Sequence, residues 1–324
     1  MRVFTRAVVS AILGGLLLGT SGVSIAQAYP NKPIRVIVAF PPGAPHDVIV
    51  RLMSDRLTAA LKQPLVIENR PGAGGNIAAE FVAKSPADGY TLLATIDTVV
   101  TVNPHIYKKL TFRPESDLVP VIYLANTAQT LVCHPSVPAR NLGEFIAHAR
   151  TNSINYASGG PGVPGHIAME LFLAATGLKM THVPYKGPAA AMQDVLGGQV
   201  PCGFLSTPVV MPHVKTGKLL GYAVTPTKRS VMAPDMPTVA EAGVPGYDAQ
   251  FGEMILAPRG VPEPAVRMLA DEMGKILAMP DIRERMLASD MEYVTGTPAT
   301  AAARLARESA KWKDVVERIK LQVD

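Results

Sequence analysis

The sequence predicts an α/β fold built as two similar domains, and three observations carry that reading. Short apolar runs alternate with amphipathic stretches across residues 34–95, in the order strand, helix, strand, helix, strand. The same alternation begins again after Pro135. The chain has 324 residues, which at roughly 150 residues per domain is enough for two independent cores. With 48% hydrophobic and 18% charged side chains, a disordered or fibrous chain is excluded.

Residues 34–40 form a nearly continuous apolar run closed by Pro41, Pro42 and Gly43, as expected of a buried strand ending in a turn. From Asp47 onward Leu52, Met53, Leu57, Ala60 and Leu61 share one helical face, and Gln63-Pro64 ends that helix. Residues 65–67 give a second strand. The glycine-rich turn 72–75 leads to a helix over 76–84, and residues 91–95 to a third strand. In the second unit the expected strands are 154–158, 182–185 and 202–205. The helices between them are 166–176, closed by Gly177, and 190–196. Right-handed crossovers around mostly parallel sheets follow, with the units joined near 121–131 and facing a cleft. Two long amphipathic helices end the chain. One carries Val266, Leu269, Ala270, Met273, Ile276 and Leu277; the other starts at Thr297-Pro298 and aligns Leu305, Trp312, Val316 and Ile319.

Residues 1–28 read as a cleaved signal peptide. Arg2 and Arg6 precede an apolar stretch over 7–18, and small residues end in the pattern Ala26-Gln27-Ala28. An exported protein is therefore expected, starting at Tyr29. Lys plus Arg number 31 against 26 acidic residues, for a net charge of +5 that includes the two leader arginines. That is too weak and too dispersed for a nucleic-acid footprint. Cys133 and Cys202 make neither a zinc ribbon nor a C-x-x-C, and the spacing alone does not argue for a disulfide.

Two turns offer chemistry. Residues 160–165 match G-x-G-x-x-G between a strand and a helix, but the position about 20 residues on holds Tyr185-Lys186 rather than an acid, so no dinucleotide site is expected. Glycines there let a ligand approach the backbone, while the helix beginning near His166 presents free N–H groups suited to a small carboxylate. A turn needing glycine for its own geometry is the alternative. The turn of Phe40, Pro42, Gly43, Ala44 and Pro45, followed by His46 and Asp47, repeats this arrangement in the first unit. Together the two make a bipartite anion clamp. Asp47 is expected as the helix N-cap, and His46 either bonds a ligand or lies on the surface. No serine-hydrolase elbow, zincin motif or P-loop is present. A metal site from His46, His166 and His182 lacks the i, i+4 pairing that would support it, so no metal, cofactor or catalytic residue is expected.

The segments YPNKPIR (29–35), FPPG (40–43), ENRPGAGG (68–75), DGYTLL (88–93), YAS (156–158), HVPYKG (182–187) and PTVAEAG (237–243) occur in an order that resembles the Bug-type extracytoplasmic solute-binding proteins of tripartite tricarboxylate transporters. The resemblance covers nearly all of the chain after the leader. It implies a periplasmic binding protein of the two-lobed, type II, Venus-flytrap kind, a monomer that delivers a small organic carboxylate to membrane permease subunits. The lobes would be 29–126 with 252–324, and 127–251. Carried over by position, the grip falls on residues 40–47 and on Ser158, Gly159, Gly160, Gly162 and His166. Tyr185, Lys186 and Gly187, with Thr95, Asp97 and Thr98, would line the cleft. Ser206 and Thr207 join them by topology, because ligands lie at strand carboxyl ends. Lys186 either pairs with a second carboxylate or lies in solvent.

Two departures stand out: Ala44 replaces a second glycine, and residues 251–254 read Phe-Gly-Glu-Met where an aromatic residue is frequent. They predict a changed distal half of the pocket and a longer or aromatic dicarboxylate. Rival functions are a sensory module for a membrane histidine kinase and an exported enzyme using His46, Asp47 and His166.

Overall fold

The computed structural model describes residues 29–294 and 296–323; the expected signal peptide lies outside them. The first unit begins with β1 (Ile34–Val38), α1 (Pro45–Leu61), β2 (Leu65–Asn69), α2 (Asn76–Ala83) and β3 (Thr91–Ile96). Three single turns of helix follow, α3 (Thr98–Thr101), α4 (Asn103–Ile106) and α5 (Pro114–Asp117), before the long strand β4 (Leu118–Thr127). The second unit runs β5 (Gln129–Cys133), α6 (Leu142–Thr151), β6 (Ile154–Ser158), α7 (Pro164–Thr176), β7 (Met180–Pro184), α8 (Pro188–Leu196), β8 (Cys202–Ser206), α9 (Thr207–Lys215) and β9 (Leu220–Val224). The chain returns through β10 (Phe251–Pro258) to α10 (Glu263–Leu277), α11 (Pro280–Leu287), β11 (Glu292–Tyr293) and α12 (Pro298–Ile319).

Two mixed sheets result. One has the order β11-β4-β10-β3-β1-β2, the other β7-β6-β8-β5-β9. β1 pairs in parallel with β2 and β3, and β6 with β7 and β8, as the crossover helices require. β4 and β10 are antiparallel neighbours, and Thr127 and Phe251, the last and first residues of these strands, are register partners. The chain therefore leaves the first sheet and returns to it at one place. α12 packs over it: Trp312 is fully buried and stacks on Phe251 with ring centroids 5.9 Å apart. Its start is capped as its sequence requires, Thr297 accepting from the Thr300 N–H with Pro298 in the first turn. The six apolar residues of the α10 stripe are all buried.

The register of β5 and β8 sets Cys133 opposite Cys202. The next pair outward is hydrogen-bonded, His134 N–H donating to Pro201 O at 2.8 Å, so the cysteines occupy a non-hydrogen-bonded pair. Such pairs have Cα atoms about 4.5 Å apart, within disulfide range. Both are free, fully buried thiols shielded from solvent reagents once the sheet has formed, and burial holds the Cys133 thiol well above its ordinary pKa. Refolding the reduced chain in a glutathione redox buffer is expected to join them, with a higher melting temperature than Cys202→Ala; two alkylatable thiols after refolding would contradict this.

Candidate functional site

Between the sheets lies a small cavity of about 70 Å³, bounded by the carboxyl ends of β1, β3, β6 and β8 and by the starts of α1, α7 and α8. That is room for a few water-sized spheres or one small organic molecule. Each of the three helices has proline in its first turn, and Pro45, Pro164 and Pro188 all line the cavity. Proline suits that position because the first N–H has no helical partner. The next ones are left as donors. In α1 the first amide to bond backwards is Val48, to Ala44 O at 3.0 Å, so those of His46 and Asp47 have no backbone acceptor. In α7 the amides of His166 and Ile167 both reach Val163 O, and Gly165 is left. A helix N-terminus favours an adjacent anion by about 0.3–1 kcal/mol, more where it is partly buried. Among the described residues, the only ionisable groups lining the cavity are His46 and Glu253; Phe40, Ile96, Val163, Phe204 and Leu205 make much of the rest apolar.

An outer basin of about 500 Å³ adjoins it, sharing Phe40, Gly159 and Val163 and adding the glycine turn 72–75, Tyr185, Lys186 and Gly187. Two glycines make close approaches beside this basin. A Cβ on Gly74 would stand 2.9 Å from Pro161 O, and one on Gly162 2.5 Å from Asn103 Oδ1; both glycines have positive φ, 61° and 76°. Tyr107 Oη donates to Pro161 O at 3.4 Å across the same gap.

The structure brings Phe40, Ala44, Pro45, His46, Gly159 and Ser206 to the inner cavity, and Gly160, Tyr185, Lys186 and Gly187 to the outer basin. Lys186 is exposed. The remaining expected residues do other work. Pro42 and Gly43 are exposed on the back of the turn. Asp47 is the third residue of α1, not its N-cap, which is Ala44. Its carboxylate accepts from the Gly43 N–H at 2.9 Å, from Arg51 Nε at 3.0 Å and from Asn69 Nδ2 at 3.0 Å. Burial pushes its pKa up, but these donors outweigh burial and hold it below the ordinary value. Strand alternation puts Ile96, not Thr95 or Asp97, on the cavity side. Thr95, Asp97 and Thr98 are buried; burial raises Asp97 to about 8, with Glu253 and Glu308 adding to the effect. Thr207 is fully buried and accepts from Thr130 Oγ1 at 3.0 Å.

His166 belongs to a buried stack. Its ring lies 4.1 Å from that of His182, which lies 4.9 Å from Tyr156, and its Nδ1 accepts from the Gly162 N–H at 3.1 Å. Ser158 Oγ, 2.7 Å from His182 Nε2, accepts from the Gly160 N–H at 3.1 Å. Ser158, Gly162 and His166 thus shape the glycine turn from behind, and among the described residues no three His, Cys, Asp or Glu side chains are placed to hold a metal. Within the departing segment 251–254, Gly252 faces away from the cavity: a Cβ there would fall 1.5 Å from Tyr123 Oη. Its neighbour Glu253 and Gly165 of the glycine turn do line the cavity, as do Thr127, Gln129 and Pro188, none of which three the sequence singled out.

Two α/β lobes with a cavity between their sheets define the class of the two-lobed solute-binding proteins. The profile of the tripartite tricarboxylate transporter family receptor, TctC, matches residues 49–321. Protein BugT of Bordetella pertussis is 33% identical over 308 residues, covering 93% of this chain and 94% of that protein. An R. palustris protein solved with adipate superposes with a TM-score of 0.86 at 32% identity, covering 91% of this chain and 99% of that one. MatC from Rhodopseudomonas palustris, with bound malate, gives 0.82 at 30% identity, covering 89% and 100%. The periplasmic binding protein BugD gives 0.84 at 29%, covering 91% and 99%. The chain belongs to the TctC family of Bug-type solute-binding proteins, whose solved members include periplasmic binding proteins.

The histidine stack generates a pH dependence. Burial lowers His166 from 6.5 to about 3, with His182 adding to the effect, and burial lowers His182 to about 4. Depressed histidine pKa values leave the unfolded chain binding more protons, so the stack's contribution is complete above about pH 6.5 and falls as pH drops toward 4. The loss at pH 5 is about 2 kcal/mol for His166, with less from the more open His182. Urea midpoints at pH 7.5 and 5 measure it. His166→Asn, which keeps an acceptor for Gly162, is expected to flatten the difference; an unchanged slope would contradict the assignment.

Proposed function

We propose that this protein captures a small organic dicarboxylate in the periplasm and hands it, chemically unchanged, to the membrane subunits of a tripartite tricarboxylate-type permease. The observation that carries the reading is the pair of helix starts, α1 and α7, whose residues His46 and Gly165, with amides free of backbone acceptors, line a cavity with no lysine or arginine among the described residues of its wall. Backbone amides and helix dipoles suit a carboxylate, and an apolar wall suits its carbon chain. The adipate and malate bound by the two R. palustris relatives support that ligand class. Family membership supports the permease as recipient.

The two lobes are residues 29–126 with 252–324, and residues 127–251, and the protein works as a monomer. Thr127 and Phe251, paired across β4 and β10, form the double crossing about which the lobes turn. A ligand bridging α1 and α7 then shifts an open to closed equilibrium. The glycine contacts at Gly74 and Gly162 form only in the closed state.

The experiment is a thermal-shift screen of the chain from Tyr29, refolded to strip carried ligand, against mono-, di- and tricarboxylates with sugars and amino acids as controls. A dicarboxylate at 100 times its Kd adds about 2.7 kcal/mol and is recovered intact. Stabilisation by none of them, or consumption of the one that binds, would contradict the proposal. Gly162→Ala is expected to weaken binding at least about tenfold, because a methyl there meets Asn103 only on closure, while unliganded stability falls by only about 1 kcal/mol. Equal affinity in the variant would show that closure does not use this contact.

A further inference from the structure

The cavity sets a carboxylate beside a carboxylate. Glu253, fully buried, reaches the wall from β10, and it lies on the same side as the α1 amides that would grip an anionic ligand. His46 stands at that wall. It is 2% exposed, its Nδ1 is 2.8 Å from Glu253 Oε2, and its Nε2 has no partner in the protein. No other side-chain polar atom of the cavity wall is both buried and unpartnered.

Every neighbour of this ring is accounted for. From α1, Asp47 is turned to Gly43, Arg51 and Asn69. From β10, Glu253 holds Nδ1, while its Oε1 accepts from Thr127 Oγ1 at 3.2 Å. Asp97, after β3, acts on Glu253 and carries its proton at neutral pH. From the turn after β1, the Phe40 ring packs edge-on at 5.4 Å. The opposite wall of the cavity offers Val163, Pro164, Gly165, Leu205 and Ser206, and no titratable group.

With Nδ1–H donated to Glu253, a neutral His46 would present the Nε2 lone pair to the ligand. A carboxylate oxygen is repelled there. One more proton at Nε2 turns that acceptor into a donor and offsets the Glu253 charge. We propose that ligand capture is linked to proton uptake at His46, whose imidazolium bridges two carboxylates, donating Nδ1–H to Glu253 and Nε2–H to the ligand. The proton comes from solvent and no covalent bond changes. This rests on the carboxylate reading above and adds a consequence: capture is stronger in a more acidic periplasm.

The test is calorimetry from pH 6 to 9 in pairs of cationic buffers that differ in protonation enthalpy. Adipate is the first probe, because it has no hydroxyl that a neutral Nε2 could accept from, and malate is the second. Expected are proton uptake rising toward one per ligand at the alkaline end and affinity falling there by up to about tenfold per pH unit. His46→Gln keeps an N–H donor on a similar reach and cannot titrate; it should bind at pH 6 within about tenfold of the parent, with no uptake and a flat profile. Binding without proton uptake and with flat affinity in the parent overturns the inference and leaves the carboxylate reading intact. Binding of malate alone, flat with pH, also overturns it, since His46 would then accept from the hydroxyl. If neither probe binds, nor any carboxylate of the wider screen, the carboxylate reading fails and this inference with it.

Discussion

A carboxylate taken out of water needs several N–H groups converging on it, because the loss of hydration is otherwise uncompensated. Helix starts supply such groups in pairs, and proline in the first turn fixes their direction. The fold is arranged around bringing two of them together. α1 follows the strand β1 of one sheet and α7 follows β6 of the other, so His46 and Gly165 come to the cavity from different sheets.

That requirement explains the central position of β4 and β10. As adjacent antiparallel strands carrying the chain out and back, they put both crossings at the single level of Thr127 and Phe251. The stack of Trp312 on Phe251 ties that level to the helix packed on the first sheet. Glu253, two residues after the crossing, and Thr127, at it, both reach the cavity, so the crossing strands themselves form part of its wall.

Much of this was legible in the sequence. The strand Ile154–Ser158 has the predicted bounds because a short apolar run is flanked by polar residues and glycines. Both clamp turns were visible because proline and glycine between a strand and a helix have few conformational options. The short helices α3, α4 and α5 were not visible, since four residues show no helical period. Individual side chains divided for a physical reason: His46 is the second residue of its helix and His166 the third, so they point about 100° apart, one to the cavity and the other onto His182. Gln129 and Thr127 were missed because they reach the cavity through the crossing between the sheets, which no local spacing reports.

The most direct test of the clamp is the backbone amide spectrum of the protein during titration with the dicarboxylate that stabilises it most. A ligand held by opposed helix starts moves the N–H resonances of His46, Asp47 and Gly165 downfield together, at one saturating concentration. Shifts confined to the outer basin, around Lys186 and the turn 72–75, with those three amides unmoved, would place the ligand elsewhere and contradict the account.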